Sequence, residues 1–379
     1  MKQALEWGEG DVAQVHETVN RFCERRLTAV EVRRRDEAHE PPYDLLPEFA
    51  ELGLIRAPLP VEHGGFGLPW GQFCLIQRRL AYNAYFAASI LNRVVTFGAI
   101  PIIRFGTKRQ RENILPRLLD GKALVCLALT EPGAGSDAKG VRTLARRKGD
   151  GWCLSGRKTW ISDAADSNYL LTLCRTEGET GLTAFLVDRE IAGIAMTSLG
   201  KVGNHCMPSW DIGLDDVLIS DECRLGPIGE GFSVIDSALS FSRASMAASA
   251  LGTARAAFDL AVSHAREREQ FGRPIGHFQV IRHRLADMKF EIVKAELLVE
   301  ELARRIDKGE SVAEIAPMAK LASTETLRFV TEHGMQILAS AGYALESPMQ
   351  RYWRDARLYT FGEGTSEIQR EIIAKTIGL

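Results

Sequence analysis

A chain of 379 residues, 45% hydrophobic and 25% charged with a formal net charge of −2, holds material for two or three domains and a sizeable core. That balance gives no electrostatic ground for binding nucleic acid or an anionic membrane, and the clusters Arg33-Arg34-Arg35 and Arg146-Arg147-Lys148 sit beside acids or turn residues, as solvated surface does. Seven scattered cysteines without a Cys-x-x-Cys pair argue against a disulfide framework or structural zinc. No apolar run reaches membrane-spanning length and the N-terminus lacks the apolar core of a signal peptide, so a soluble cytoplasmic protein is expected.

Residues 1–122 read as helical. Val12, Val15, Val19 and Phe22 recur at three and four residues, the spacing of one buried face, and Pro41-Pro42 ends this first segment. A helical pattern resumes over Tyr43–Leu54 and again around Phe73–Leu80 and Gln110–Leu119; the Gly-x-Gly of His63–Pro69 reads as a structural turn. Residues 123–228 change character. Ala123–Leu129 is a short apolar run, Asp150-Gly151 is a hairpin signal, and Tyr169–Cys174 and Thr183–Val187 look like buried strands. Trp210–Leu214 alternates apolar and polar residues, and without long intervening helices a small antiparallel β domain is expected. Residues 229–379 return to long helices. Ile281, Leu285, Met288, Ile292, Ala295 and Leu302 mark one face, Ile315, Met318 and Leu321 begin another, and breaks fall at Gly272-Arg273-Pro274 and Asp307-Lys308-Gly309, as in a four-helix bundle.

Four stretches carry chemistry. Phe361–Arg370 sets Glu363 between two glycines before a helix start, where Thr365 or Ser366 can cap, Ser366 and Gln369 have capping-box spacing, and Ile368, Ile372 and Ile373 offer a docking face. A carboxylate so mounted suits a general base; an acid in an exposed turn is the plain alternative. Thr130–Asp137 superficially matches a dinucleotide fingerprint at Gly133–Ala138. It lacks the helix and the later acid that nicotinamide binding requires, which leaves a flavin or anion contact or merely a tight turn. Lys158–Ser162 contains Trp160, a core residue or a wall for a flat ring. Arg266–Pro274 ends a helix with cations that complement its dipole, or grip a diphosphate through Arg268; Arg243, among Ala and Met, calls for a fixed partner.

Taken in order, Thr130–Asp137 with Gly156-x-Lys158-x-Trp160-Ile161-Ser162, then Arg268–Gly272, then Glu363–Arg370, resemble the acyl-CoA dehydrogenase family along essentially the whole chain. The resemblance implies a mainly α protein: an N-terminal helical domain, a middle antiparallel β domain and a C-terminal four-helix bundle, with FAD where they meet. It implies that Thr130, Gly135, Ser136, Trp160, Ser162, Thr365 and Glu367 surround the cofactor. It also implies that Arg268, Gln270, Phe271, Gln336, Ala339 and Ser340 reach the cofactor of an adjacent subunit in a homotetramer or homodimer, and that Gln279 is a further cofactor-binding residue. Glu363 would remove the α-proton of an acyl thioester while the β-hydrogen leaves as hydride to the flavin, with Ser136, Ser240, Arg243, Gly362 and Gly364 near the substrate and an electron-transfer flavoprotein as acceptor. Burial and the nearby helix N-terminus pull the Glu363 pKa in opposite directions. Where some members carry the base, directly before Arg243, this chain has Ser242, so Glu363 is the candidate.

Four departures bear on substrate. Gly362 replaces an aromatic beside the base, and Ser240 an acid near the pantetheine arm. Ala339-Ser340 stands for Gly-Gly, and Lys201–Trp210 for a Met-Gly-x-Arg segment, with His205 and Cys206 read as structural rather than metal ligands. They suggest a thioester carried by a carrier protein in place of CoA. Use of the flavin with oxygen, as an oxidase or monooxygenase, is a further reading, and a flavin-bearing nucleic-acid-binding protein is disfavoured by the near-neutral charge.

Overall fold

The computed structural model describes residues 7–379; the first six residues of the expected N-terminal domain lie outside it. Helices come first, then a sheet, then helices. The first helix does not run on to Pro41-Pro42. α1 (Glu9–Arg26) stops before Leu27, and α2 (Ala29–Ala38) starts on Thr28, whose hydroxyl accepts the Glu31 N–H at 3.2 Å and so satisfies one orphan donor. The next pattern becomes α3 (Leu45–Glu51), and the Gly-rich turn leads into α4 (Trp70–Asn83).

Periodicity does not single out the segment that follows: α5 (Tyr85–Asn92), a π-helical stretch Arg93–Ala99 and α6 (Ile100–Phe105). Together they are long and apolar enough to cross a membrane, with a mean hydropathy of 1.6, which corrects the expectation that no such run exists. Yet 94% of the apolar stretch is buried within the protein, so this is a core helix. Asn92 and Arg93 interrupt its apolar run and find buried partners, described below. α7 (Lys108–Asn113) and α8 (Leu115–Leu119) close the helical region.

The sheet contains β1 (Val125–Ala128), β2 (Leu144–Lys148), β3 (Gly151–Ser162), β4 (Tyr169–Thr176), β5 (Leu182–Asp188), β6 (Ile194–Leu199), β7 (Ser209–Ser220) and β8 (Arg224–Leu225). Its order is β6-β7-β3-β2-β4-β5-β8, with β1 also on β4. The β2–β3 hairpin forms where the sequence predicts, though its two-residue turn is Gly149-Asp150 and Gly151 already pairs with Lys148, and β4 and β5 are buried. The sheet is mixed, not purely antiparallel: β4 runs parallel to both β1 and β2. Intervening helices would have signalled a β-α-β unit, but here the chain returns through a loop and a hairpin, which leaves no such mark.

The C-terminal domain has α9 (Gly231–Glu267), a finger of β9 (Glu269–Gln270) and β10 (Arg273–Pro274), then α10 (Gln279–Asp307) and α11 (Ile315–Leu338). Short α12 (Ser340–Tyr343), α13 (Pro348–Tyr359) and α14 (Ser366–Thr376) follow. On α10, Met288, Ile292, Ala295 and Leu302 are buried as expected, while Ile281 and Leu285 are half-buried. α9 lies hard against α4, for a Cβ on Gly252 would come within 2.2 Å of the Arg78 carbonyl oxygen. That contact carries the small-residue stretch Ser240–Leu251 into the centre of the molecule, beside α5.

Candidate active site

Glu363 occupies a turn between α13 and α14 in the left-handed region, φ +55°, followed by Gly364 at φ +95°. A non-glycine residue there is held by its surroundings. The Gly364 carbonyl accepts from Lys320 Nζ at 2.8 Å and from Gln369 Nε2 at 3.1 Å, and Gln369 Nε2 also donates to the Glu363 carbonyl at 3.3 Å. The N-cap is Thr365, whose hydroxyl accepts the Ile368 N–H at 3.2 Å. The capping box suggested by Ser366 and Gln369 does not form, because Gln369 is turned to those carbonyls and the Ser366 hydroxyl donates to Glu325 at 2.6 Å. Ser366 and Gln369 are the buried anchors of α14; Ile368, Ile372 and Ile373 are only half-buried.

The Glu363 carboxylate points inward. Oε1 accepts from the Ser242 hydroxyl at 2.7 Å, and Oε2 is shut off from solvent without a partner. Burial pushes this carboxyl above the usual range, against the pull of the Ser242 hydroxyl and of the Lys320, Arg243 and Arg93 charges. Among the described residues the Glu363 N–H has no acceptor. Arg243 is buried; its ion partner is Asp236 at 3.7 Å, and its Nε is enclosed without a partner. Ser240 directs its hydroxyl to the Asp236 carbonyl of its own helix at 2.9 Å. A Cβ on Gly362 would sit 3.8 Å from Met246 Cε, so a side chain there would narrow the space before α9.

The middle-domain candidates form a second group. The Thr159 N–H donates to the Thr130 carbonyl at 2.9 Å, which ties β3 to the turn Thr130–Asp137. Between Lys158 and Ile161 the β3–β7 register shifts, and Trp160, at φ +58°, is thrown out of the core to 55% exposure. The bulge re-aims the side chain. Gly135 and Ser136 are exposed, Thr130 and Ser162 half-buried, and no Cβ contact lies within 4 Å of Gly133 or Gly135. The two groups meet through Arg93: it pairs with Asp163, the neighbour of Ser162, and its charge is felt by Glu363.

The remaining candidates stand apart. Arg268, Gln270 and Phe271 project on the β9–β10 finger, Phe271 being 92% exposed; Gln279, Gln336, Ala339, Ser340 and Glu367 are also on the surface. Within one chain they do not join the Glu363 site. His205 stacks on His39 with ring centroids 4.1 Å apart and lies 3.4 Å from Asp36, and among the described residues no group of three side chains could hold a metal ion. Sequence reasoning missed Asn92, Arg93, Asp163 and Lys320. A polar pair where α5 meets the π-helical stretch, inside an apolar run, and a lysine on the buried face of α11, were the available signals.

Residues 10–122, 126–217 and 229–378 match the N-terminal, middle and C-terminal domains of acyl-CoA dehydrogenase. The chain is 34% identical over 364 residues to the mitochondrial short-chain specific acyl-CoA dehydrogenase of Bos taurus, across 95% of this chain and 88% of that protein. It is 33% identical over 360 residues to the caffeyl-CoA reductase-Etf complex subunit CarC of Acetobacterium woodii, across 93% and 94%. Among solved structures, a glutaryl-CoA dehydrogenase from Mycobacterium smegmatis in complex with FADH2 matches with a TM-score of 0.91 at 28% identity, over 98% of this chain and 95% of that one. The prolyl acyl carrier protein oxidase AnaB matches with a TM-score of 0.93 at 26% identity, over 99% and 100%.

Proposed function

The chain belongs to the acyl-CoA dehydrogenase family, whose members are FAD-dependent oxidoreductases acting on CH–CH bonds, and we propose that it converts a saturated acyl-CoA to the trans-2-enoyl thioester with Glu363 as the base. One observation carries this reading. The Glu363 carboxylate is enclosed, fixed at Oε1 by Ser242, and presents a buried Oε2 with no partner.

The residues present fit a flavin. Trp160 offers a flat face on its bulge, and the turn at Gly133–Ser136 lies open with room for close backbone approach. Thr130, Gly135, Ser136, Trp160, Ser162 and Thr365 would hold it, while Glu367, expected beside them, lies on the surface. Exposed Arg268, Gln270, Phe271, Gln279, Gln336, Ala339 and Ser340 would serve the cofactor of a neighbouring subunit in a homotetramer or homodimer. When bound, FAD supplies the acceptor for the β-hydrogen and its electron pair. Glu363 Oε2 takes the α-proton. The Glu363 N–H, without an acceptor among the described residues, would donate to the thioester carbonyl as negative charge develops there, an interaction that an enclosed site strengthens. A carboxyl raised by burial is the stronger base.

The test is anaerobic bleaching of the holoenzyme's flavin by butyryl-, octanoyl-, glutaryl- and 3-phenylpropionyl-CoA, and by the same acyl groups on a carrier protein. Glu363→Gln should retain FAD and slow bleaching roughly 1,000-fold; normal bleaching by that variant would refute the assignment. Ser240 presents no carboxylate to a pantetheine arm, and with the likeness to a carrier-protein oxidase this favours a second reading, a carrier-tethered acyl group. Faster bleaching by the acyl-carrier protein decides for it. Hydrogen peroxide formation without another acceptor would mark an oxidase or monooxygenase. An electron-transfer flavoprotein is the acceptor favoured by the likeness to an Etf-complex subunit.

A further inference from the structure

We propose that Asn92 and Ser242 form a positioning relay that ties down Oε1 of Glu363 and so makes Oε2 the oxygen that receives the proton. The inference rests on the reading of Glu363 as base and names what aims it. Asn92 Nδ2 donates to Ser242 Oγ at 2.9 Å, and Ser242 Oγ donates to Glu363 Oε1 at 2.7 Å. The order of donors is fixed by chemistry. An amide nitrogen can only donate, so Ser242 accepts from Asn92 and its single hydrogen is left for the carboxylate. The Thr96 hydroxyl, whose one hydrogen is shared between the Asn92 main-chain carbonyl at 2.9 Å and Asn92 Oδ1 at 3.1 Å, lies on the oxygen side of the amide, away from Ser242. Asn92, Thr96 and Ser242 are all buried, so bulk water is not there to replace a lost link.

The three members come from three separate elements: Asn92 from the end of α5, Ser242 from α9, Glu363 from the turn before α14. The relay therefore locks the base to the N-terminal core helix and to the bundle at once. The other groups facing the carboxylate are Lys320 on α11, Arg243 on α9, Arg93 on the π-helical stretch and Tyr85 on α5. Among the described residues none of these hydrogen-bonds to it; Ser242 is its one donor. Without the Ser242 hydroxyl neither carboxylate oxygen would have a donor among the described residues, and the neutral acid would be favoured.

The experiment uses the holoenzymes of wild type, Ser242→Ala, Ser242→Thr, Asn92→Ala and Glu363→Gln. The rate of anaerobic bleaching by the fastest of the four acyl-CoA probes is followed against pH. In substrate-free protein, infrared difference spectra follow the protonated-carboxyl band that Glu363→Gln abolishes. Ser242→Ala should move both midpoints upward by about one pH unit, the size of a lost charge-assisted hydrogen bond, so that bleaching below the midpoint slows about tenfold. Ser242→Thr, which keeps the hydroxyl, should restore both midpoints, and Asn92→Ala should shift them upward by less. Ser242→Ala with wild-type midpoints, whether fast or uniformly slow, overturns the relay while an inactive Glu363→Gln leaves the base assignment standing. Normal bleaching by Glu363→Gln removes the base and the relay with it.

Discussion

Replacing Lys158 by Met should cost the fold about 3 kcal/mol and loosen FAD, because Lys158 and Glu131 clamp together the two middle-domain segments proposed to hold the cofactor. Lys158 is 0% exposed, and its Nζ donates to Glu131 Oε1 at 2.8 Å, to the Leu173 carbonyl at 2.7 Å and to the Leu129 carbonyl at 3.1 Å. Glu131 also accepts from the Thr143 hydroxyl at 2.6 Å, the Thr143 N–H at 2.9 Å and the Arg142 N–H at 2.6 Å. Breaking a buried pair by deleting one partner costs about 3–5 kcal/mol. Glu131 would keep three donors, which places the loss at the lower end. Burial would raise the Glu131 carboxyl, but the Lys158, Thr143 and Arg142 hydrogen bonds outweigh it and hold the pKa below the ordinary range. A depressed folded pKa means that this contribution is present above the ordinary carboxylate pKa and is lost as pH falls through the folded value. The advantage of wild type over Lys158→Met should therefore shrink in acid. Urea titration at saturating FAD measures the stability loss, and flavin fluorescence the FAD affinity. The double variant Glu131→Gln/Lys158→Met should lose about 2 kcal/mol less than the sum of the singles. A single-variant loss under about 1 kcal/mol with normal FAD retention would show that the pair is no clamp.

Asp355 offers the opposite sign: burial pushes it up to about 6 despite the Asn204 N–H and Arg354, so its proton is bound more tightly in the folded state and stability is lost as pH rises from about 4 to about 6. Asp355→Asn should gain on wild type by about 3 kcal/mol between pH 4 and pH 7.5 in paired urea titrations; a pH-independent difference would contradict the burial argument. Ala339 adopts φ +51°, ψ −132°, a conformation nearly reserved for glycine. Ala339→Gly should stabilise by about 1 kcal/mol, strain relief exceeding glycine's added chain entropy, and a measured loss would refute the strain.

What the sequence disclosed, and what it withheld, follows from the range of the forces involved. The β2–β3 hairpin, the Thr365 cap of α14 and the breaks around α10 are local, fixed by a few neighbouring residues, and were legible. The parallel pairing of β4 with β1 and β2 depends on partners more than 30 residues away along much of its length, and alternation within a strand carries no trace of direction. Trp160 illustrates the same limit. Its residue type argues for core, and only the register shift against β7 turns it outward. Ser242 was read only as a residue that cannot be a base; that it donates to the Glu363 carboxylate is visible only once α9 and the Glu363 turn are side by side.

The charges around Glu363 show why position, and not mere proximity, sets the chemistry of the site. Lys320, Arg243 and Arg93 all lower its pKa, yet burial prevails and the carboxyl stays raised. Each cation is engaged elsewhere: Lys320 with the Gly364 carbonyl, Arg243 with Asp236, Arg93 with Asp163. A direct ion pair with any of them would have occupied Oε2 and weakened the carboxylate as a proton acceptor. Held at one remove, the cations temper the cost of a buried negative charge and leave the accepting lone pairs free. A carboxyl raised by burial, and eased by charges it does not touch, suits the proton transfer proposed for Glu363, because no salt bridge has to break for it.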